Sequence, residues 1–382
     1  MKNTAQPLLE EYQLGDLTLK NRVVMASLTR GRATNAGLVP TPLMAEYYAQ
    51  RASAGLILSE GTWVSAKSIG FINVPGIYTQ EQVEGWKLVT QAVHANGGLI
   101  FSQLGHVGSV SHPDFFGGEL PAGPSAINPQ TRSFTPEGFK DSLTPREFTV
   151  AEIKQTIQDY KQAAKNAREA GFDGVEIHAQ VGMLIPQFLS LATNQRTDAY
   201  GRSIENRARI IFEILEAILE VWDSTRVAIK FTPVALSHVG IITPDEETIP
   251  IFQYILRKLS EYNLAYLQIV GPAEDLTGTP VAILQDDYFS HFRRNYRGRL
   301  MVNLGFTQES GNAIVREGTA DLVSFGTPFI ANPDLVERFQ HNLPLSQSNP
   351  ETYYTGGESG YADYPRALNN GAMAQSDQVK AE

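Results

Sequence analysis

The chain contains no cysteine. Disulfides, zinc–thiolate sites, cysteine-ligated iron–sulfur clusters and cysteine nucleophiles are therefore excluded, and no metal site is expected. Long apolar runs are also missing. Nothing approaches the roughly 18 residues that a membrane span needs, and Met1 to Lys20 lack the apolar core of a signal peptide. Basic residues are the scarcer charge, with 31 Lys and Arg against 41 Asp and Glu and a net charge of −10. No long basic run appears. This argues against nucleic-acid binding and leaves any anionic ligand to a local site. The expectation is a cytoplasmic enzyme, monomer or homodimer, acting on a small molecule.

Hydrophobic residues make up 42% of the chain, enough to fill a large core. Eight short apolar runs recur along it, at Arg22–Ala26, Gly55–Glu60, Gly98–Gln103, Gly174–His178, Arg226–Phe231, Tyr266–Val270, Leu300–Asn303 and Leu322–Phe325. Each reads as a strand buried on both faces. Helix-like patterns fall between most of them, at Thr41–Ser53, Gln80–Ala95, Thr149–Ala170, Ser203–Glu220, Pro250–Glu261 and Gln308–Glu317. The alternation predicts a (β/α)₈ TIM barrel with decorated loops. A doubly wound sheet competes, but Ala26–Arg30 (ASLTR) is no glycine-rich phosphate loop. The chain is read as one barrel domain over 1–369, with a tail over 370–382 expected to be disordered. The stretch from His106 to about Arg146 is rich in Pro, Gly and Ser. It is expected to be a lid-like loop carrying a small hairpin.

Active-site residues of this fold sit at strand C-termini and in the loops that follow. The polar residues there are Thr29, Glu60, Gln103, His106, His178, Lys230, Thr232, Gln268 and Asn303. Any one of them could simply cap a helix or satisfy the backbone; together they predict one polar rim. Lys230 ends the run VAIK and needs a partner inside the lumen. It could form a structural ion pair or neutralise an electron-rich ring. The glycines after the seventh and eighth strands, Gly305 and Gly326, are either ordinary turns or a phosphate site.

Several segments make the chain identifiable by likeness. They are Asn21–Arg30 (NRVVMASLTR), Gln50–Leu56 (QRASAGL), Glu60-Gly61-Thr62, Val74–Ile77 (VPGI), Asn194–Arg207 (NQRTDAYGRSIENR), Asn332–Leu335 (NPDL) and Gly360–Pro365 (GYADYP). Over roughly residues 8–368 the chain resembles the old yellow enzyme family of FMN-dependent ene-reductases. The resemblance implies FMN over the barrel mouth, reduced by NADPH or NADH, with hydride passing to the β-carbon of an α,β-unsaturated carbonyl. It implies that Ser27, Leu28 and Thr29 flank the ring and that Gly61 and Gln103 meet its pyrimidine edge. Lys230 stands in for the family arginine. Gly305, Gly326 and Thr327 face the phosphate. Phe71, Gly105 and Tyr354 line the substrate mouth.

The fourth-strand motif departs from the family pattern. It reads His178-Ala179-Gln180-Val181-Gly182-Met183-Leu184. His178 keeps the first carbonyl donor. Val181 stands in place of the second donor and Met183 in place of the tyrosine acid, and neither carries a transferable proton. Gly105 replaces a frequent tryptophan and widens the pocket. Leu304 replaces a phosphate-loop glycine, Thr327 a common arginine and Ser27 a usual proline. Two catalytic readings follow, beside a third in which the missing acid leaves a ligand-binding protein without catalysis. One is an ene-reductase for a bulky apolar enone, with solvent supplying the proton. The other is a redox-neutral isomerase or cyclase on the same barrel, possible even without flavin.

Overall fold

The computed structural model describes residues 6–180, 182–236 and 240–367. The expected tail 370–382 and Val181 lie outside the described residues. Eight parallel strands close into a barrel. We number them β1 (Val23–Met25), β2 (Leu56–Trp63), β3 (Ile100–Gly105), β4 (Gly174–Ala179), β5 (Val227–Phe231), β6 (Tyr266–Val270), β7 (Leu300–Asn303) and β8 (Leu322–Phe325). They pair in sequence order, and β8 returns to β1. The predicted (β/α)₈ barrel is the observed fold. Among the described residues no helix is long and apolar enough to cross a membrane.

Side chains alternate along each strand, so every second residue enters the lumen. The lower lumen is apolar. Val24, Leu56, Leu58, Phe101, Ala228, Tyr266, Met301 and Leu322 fill it. A short hairpin, Tyr12–Leu14 with Leu17–Leu19, closes the bottom and buries Leu14 and Leu19 there. The upper lumen is polar, because Gln103 and Glu176 pair in register, as do His178, Lys230 and Gln268.

One irregularity determines which residues reach the mouth. The register of β2 against β3 shifts between Leu58 and Gly61, so Gly61, not Glu60, lies opposite Gln103. A bulge of this kind inverts the alternation beyond it. Glu60 turns away and accepts N–H groups from Arg30 (3.3 Å) and Gly31 (3.4 Å).

Three of the barrel helices begin at threonine caps. Thr79, Thr149 and Thr307 each form a reciprocal capping box with the residue three positions on. The loop after β3 contains the expected hairpin, Arg132–Thr135 with Gly138–Asp141. Short helices at Leu184–Leu189, Tyr288–Asn295, Thr327–Ala331 and Leu335–His341 were not expected.

An arginine–tyrosine cluster ties the C-terminal segment to the barrel top. Arg30 donates to the carbonyls of Tyr353 (3.0 Å) and Gly360 (2.7 Å), and Arg32 to that of Thr352 (2.8 Å). Tyr47 and Tyr361 stack with centroids 4.0 Å apart. Arg51 is fully buried, and its guanidinium serves the carbonyls of Tyr47 (2.8 Å), Phe329 (2.9 Å) and Ile330 (2.9 Å). Bonds to charged groups are worth about 1.5–3 kcal/mol each, and orphaned carbonyls add a penalty. Arg51→Ala is therefore expected to cost about 3 kcal/mol or more, read as a lowered denaturation midpoint. A loss below about 1 kcal/mol would show that water replaces the guanidinium there.

Candidate functional site

The polar layer is built from β1, β3, β4, β5 and β6. Ser27, just beyond β1, donates its hydroxyl to Gln103 Oε1 (2.6 Å), and Gln103 Nε2 donates to Glu176 Oε1 (2.7 Å). Lys230 is buried beside Glu176. Burial drives the lysine pKa down, and the Glu176 carboxylate pulls it back up. Gln268 donates to Ser324 Oγ (2.6 Å), while its Oε1 is buried without a partner. Asn303 Nδ2 donates to the Ser324 carbonyl and hydroxyl, both at 2.8 Å.

His178 caps this layer. Two glycines make room for its ring. A Cβ on Gly105 would stand 3.4 Å from His178 Nδ1, and one on Gly61 3.5 Å from it. Burial, and then the nearby Lys230 charge, lower the imidazole pKa to about 3. His178 is thus neutral at physiological pH and keeps one N–H to give.

Above it lies a cavity of about 270 Å³. Thr29, Gly61, Phe71, His178, Met183 and Tyr354 line it, together with Trp63, Val74, Val107, Val110, Arg132, Phe134 and Phe139. Met183 packs in a small apolar cluster around Trp63, Val74 and Val107. The hairpin folds over the mouth through Phe134, whose ring meets Phe71 edge-on at 5.2 Å. Tyr354, 47% exposed, closes the other side against Phe71 at 5.6 Å. Gly31 lets that segment approach, since a Cβ there would sit 2.7 Å from the Tyr354 carbonyl oxygen. A hairpin in this loop was expected, but nothing in the sequence placed its phenylalanines or the valine walls at the cavity. The turn Thr135-Pro136-Glu137-Gly138 between Phe134 and Phe139 was the one available clue.

Three residues expected on the rim are elsewhere. Glu60 is displaced by the bulge and buried, which raises its pKa to about 7. His106 is buried beneath the loop, and its Nδ1 accepts the Gly108 N–H (2.9 Å). Thr232 lines a separate cavity of about 60 Å³ with Arg207 and Ile251.

The loops after β7 and β8 form the other end of the mouth. Gly305 has φ +73° and nothing near its missing Cβ. Gly326 abuts Leu28, whose Cδ2 would lie 3.3 Å from an added Cβ. Thr327 is exposed at the start of its short helix. Leu304 has φ +92° and is 42% exposed. A branched side chain at such a φ stores strain of about 1–3 kcal/mol.

A polar layer containing Lys230 thus lies under a largely apolar cavity at the C-terminal mouth of a (β/α)₈ barrel, the end at which enzymes of this fold carry their active sites. Residues 7–346 match the model of the NADH:flavin oxidoreductase / NADH oxidase family. The chain belongs to that family, the old yellow enzymes, whose cofactors are FMN and a nicotinamide nucleotide. It is 41% identical to 12-oxophytodienoate reductase 7 of Oryza sativa subsp. japonica, over 94% of both chains. It is also similar to the solved structure of morphinone reductase, with a TM-score of 0.89, 41% identity and coverage of 96% and 98%. The old yellow enzyme homologue from Zymomonas mobilis gives a TM-score of 0.87 at 40% identity, covering 94% of this chain and 99% of that one.

The depressed pKa of His178 has a direct readout. Its imidazole resonances are expected to stay in the neutral form from pH 8 to pH 5. A midpoint near the ordinary value of about 6.5 in a nuclear magnetic resonance titration would contradict the buried, Lys230-facing setting.

Proposed function

We propose that the protein is an FMN-dependent ene-reductase acting on the C=C bond of a bulky, apolar α,β-unsaturated carbonyl compound. The observation that carries this reading is the neutral His178 at the floor of an apolar cavity, directly above the Gln103–Lys230 layer. The residues present fit the cofactor. Gln268 Oε1 is an unmet buried acceptor, Gly61 and Gly105 leave space beside the imidazole, and Lys230 offers a cation. Ser27, Leu28, Thr29, Gly61, Gln103 and Lys230 would hold the ring, and Gly305, Gly326 and Thr327 the phosphate. Bound FMN supplies the hydride, drawn from NADPH or NADH.

The chain's own residues do the rest. His178 donates a hydrogen bond to the carbonyl oxygen and stabilises the enolate charge as it develops. Phe71, Phe134, Phe139 and Met183 exclude water from most of the substrate. Met183 has no proton to give. The proton for the α-carbon comes from water at the open rim or from Tyr354, the one phenol lining the cavity among the described residues. Tyr354→Phe separates these sources.

A redox-neutral isomerase or cyclase is the second reading. The apolar cluster at Met183 favours it, because the wall that would present an acid is a thioether.

The purified protein is expected to be yellow, to bleach with NAD(P)H and to recolour with a bulky enone. Colourless protein that cannot be reconstituted with FMN would refute the first reading. Product formed without NAD(P)H consumption would select the second. Met183→Tyr is expected to raise the reduction rate by about 10²-fold or more, and an unchanged rate would show that protonation is already served from elsewhere. Thr327→Arg is expected to tighten FMN, measured by quenching of flavin fluorescence, since a guanidinium grips phosphate bidentately. Weaker binding would move the phosphate away from Gly326 and Thr327.

A further inference from the structure

Glu176 is the buried acid of the lumen that the proposed reaction leaves without a task. It is fully buried on β4, one lumen layer below His178. Its Oε1 accepts the Gln103 amide N–H at 2.7 Å, and a further polar neighbour is the Tyr266 phenol, which meets no strict hydrogen-bond geometry there. Lys230 faces it from β5 and Tyr266 from β6. His178 also faces Lys230 and is neutral. The phenol of Tyr266, held protonated by burial and by the Glu176 charge, contributes no counter-charge. Among the described residues Glu176 and Lys230 are thus left to balance each other: burial raises the Glu176 pKa and the Lys230 charge draws it back down, while burial lowers the Lys230 pKa and Glu176 draws it back up.

Two consequences follow. The first concerns the Gln103 amide, which can be oriented either way by rotation. A carboxylate accepts hydrogen bonds and gives none, so Glu176 forces Nε2 downward and Oε1 upward, where Ser27 meets it at 2.6 Å. The second concerns charge. An unopposed ammonium under the ring would favour an anionic reduced flavin; one opposed by a buried carboxylate does so far less, because inside a low-dielectric lumen the two fields largely cancel.

We propose that Glu176 is a positioning residue for the flavin, fixing the polarity of the Gln103 amide and offsetting Lys230 so that the barrel presents a nearly neutral edge to the ring. This inference rests on the placement of FMN over the lumen given above.

The test is the midpoint potential of the bound flavin in holoenzyme, followed by dye-coupled spectroscopic reduction. Glu176→Gln is expected to shift it upward, because Lys230 is left unopposed. Lys230→Met is expected to shift it downward. The double variant, with both charges gone, is expected to return close to the parent. It also remains informative where Glu176→Gln alone does not fold, since it leaves no unpaired buried charge. A double variant that simply follows Lys230→Met, or a Glu176→Gln potential equal to the parent's, would overturn the role of Glu176. Protein that takes up no flavin at all would overturn the cofactor placement itself, and this inference with it.

Discussion

A lysine ammonium inside a closed barrel is the constraint around which the mouth is organised. An unpaired buried charge costs several kcal/mol, and a closed lumen offers it no route to water. Glu176 draws the Lys230 pKa back up, Gln103 donates to one Glu176 oxygen, and Ser27 donates to Gln103. The chain of dependence runs across β5, β4, β3 and the end of β1. A barrel is suited to it because its strands hold register with one another on both sides. Shifting any of them by one residue would turn a member of the layer outward.

The bulge in β2 belongs to the same arrangement. Regular alternation after Leu56 and Leu58 would bring Glu60 into the lumen as a second carboxylate. Gln103 would then face an acid on each side, and Lys230 would be outnumbered. The register shift places Gly61 there instead and leaves space beside His178. Glu60 moves under the loop of Arg30 and Gly31, where backbone N–H groups and the neighbouring Arg30 and Arg32 offset part of its burial. Its displaced position also supports the loop on which Thr29 stands.

The barrel was legible because a strand buried on both faces leaves an uninterrupted apolar run, and all eight runs are strands. His178, Lys230 and Gln103 were legible as polar residues at the ends of those runs. Glu60 was misplaced because alternation cannot be counted through a bulge, and Gly61 was the sole hint of one. His106 resembled a rim residue by position, yet its ring serves the turn at Gly108. Glu176 was hidden for the opposite reason: inside the run GVEIH it reads as an interruption of a strand, although its side chain is buried in the lumen near Lys230. The cavity walls at Trp63, Val107, Phe134 and Phe139 come from segments far apart in sequence. Only the closed fold brings them together.

The two ends of the mouth have been altered in ways that act on each other. At the far end, Leu304 holds a strained φ where glycine would be relaxed, and the segments Asn303–Gln308 and Phe325–Asn332 contain no lysine or arginine. The nearest buried guanidinium, Arg51, is already committed to the Phe329 and Ile330 carbonyls. Under the proposed placement, a phosphate there meets backbone donors without a cation, so flavin retention falls more heavily on the ring contacts. Those contacts would be Ser27, Gln103 and Lys230, with Glu176 behind them. Under that placement the charge balance of the lumen would matter more for holding the cofactor, while at the substrate end Met183 offers no acid and leaves His178, beside Lys230, as a polar group facing the cavity. Ring binding and carbonyl polarisation would then draw on one polar layer of the lumen.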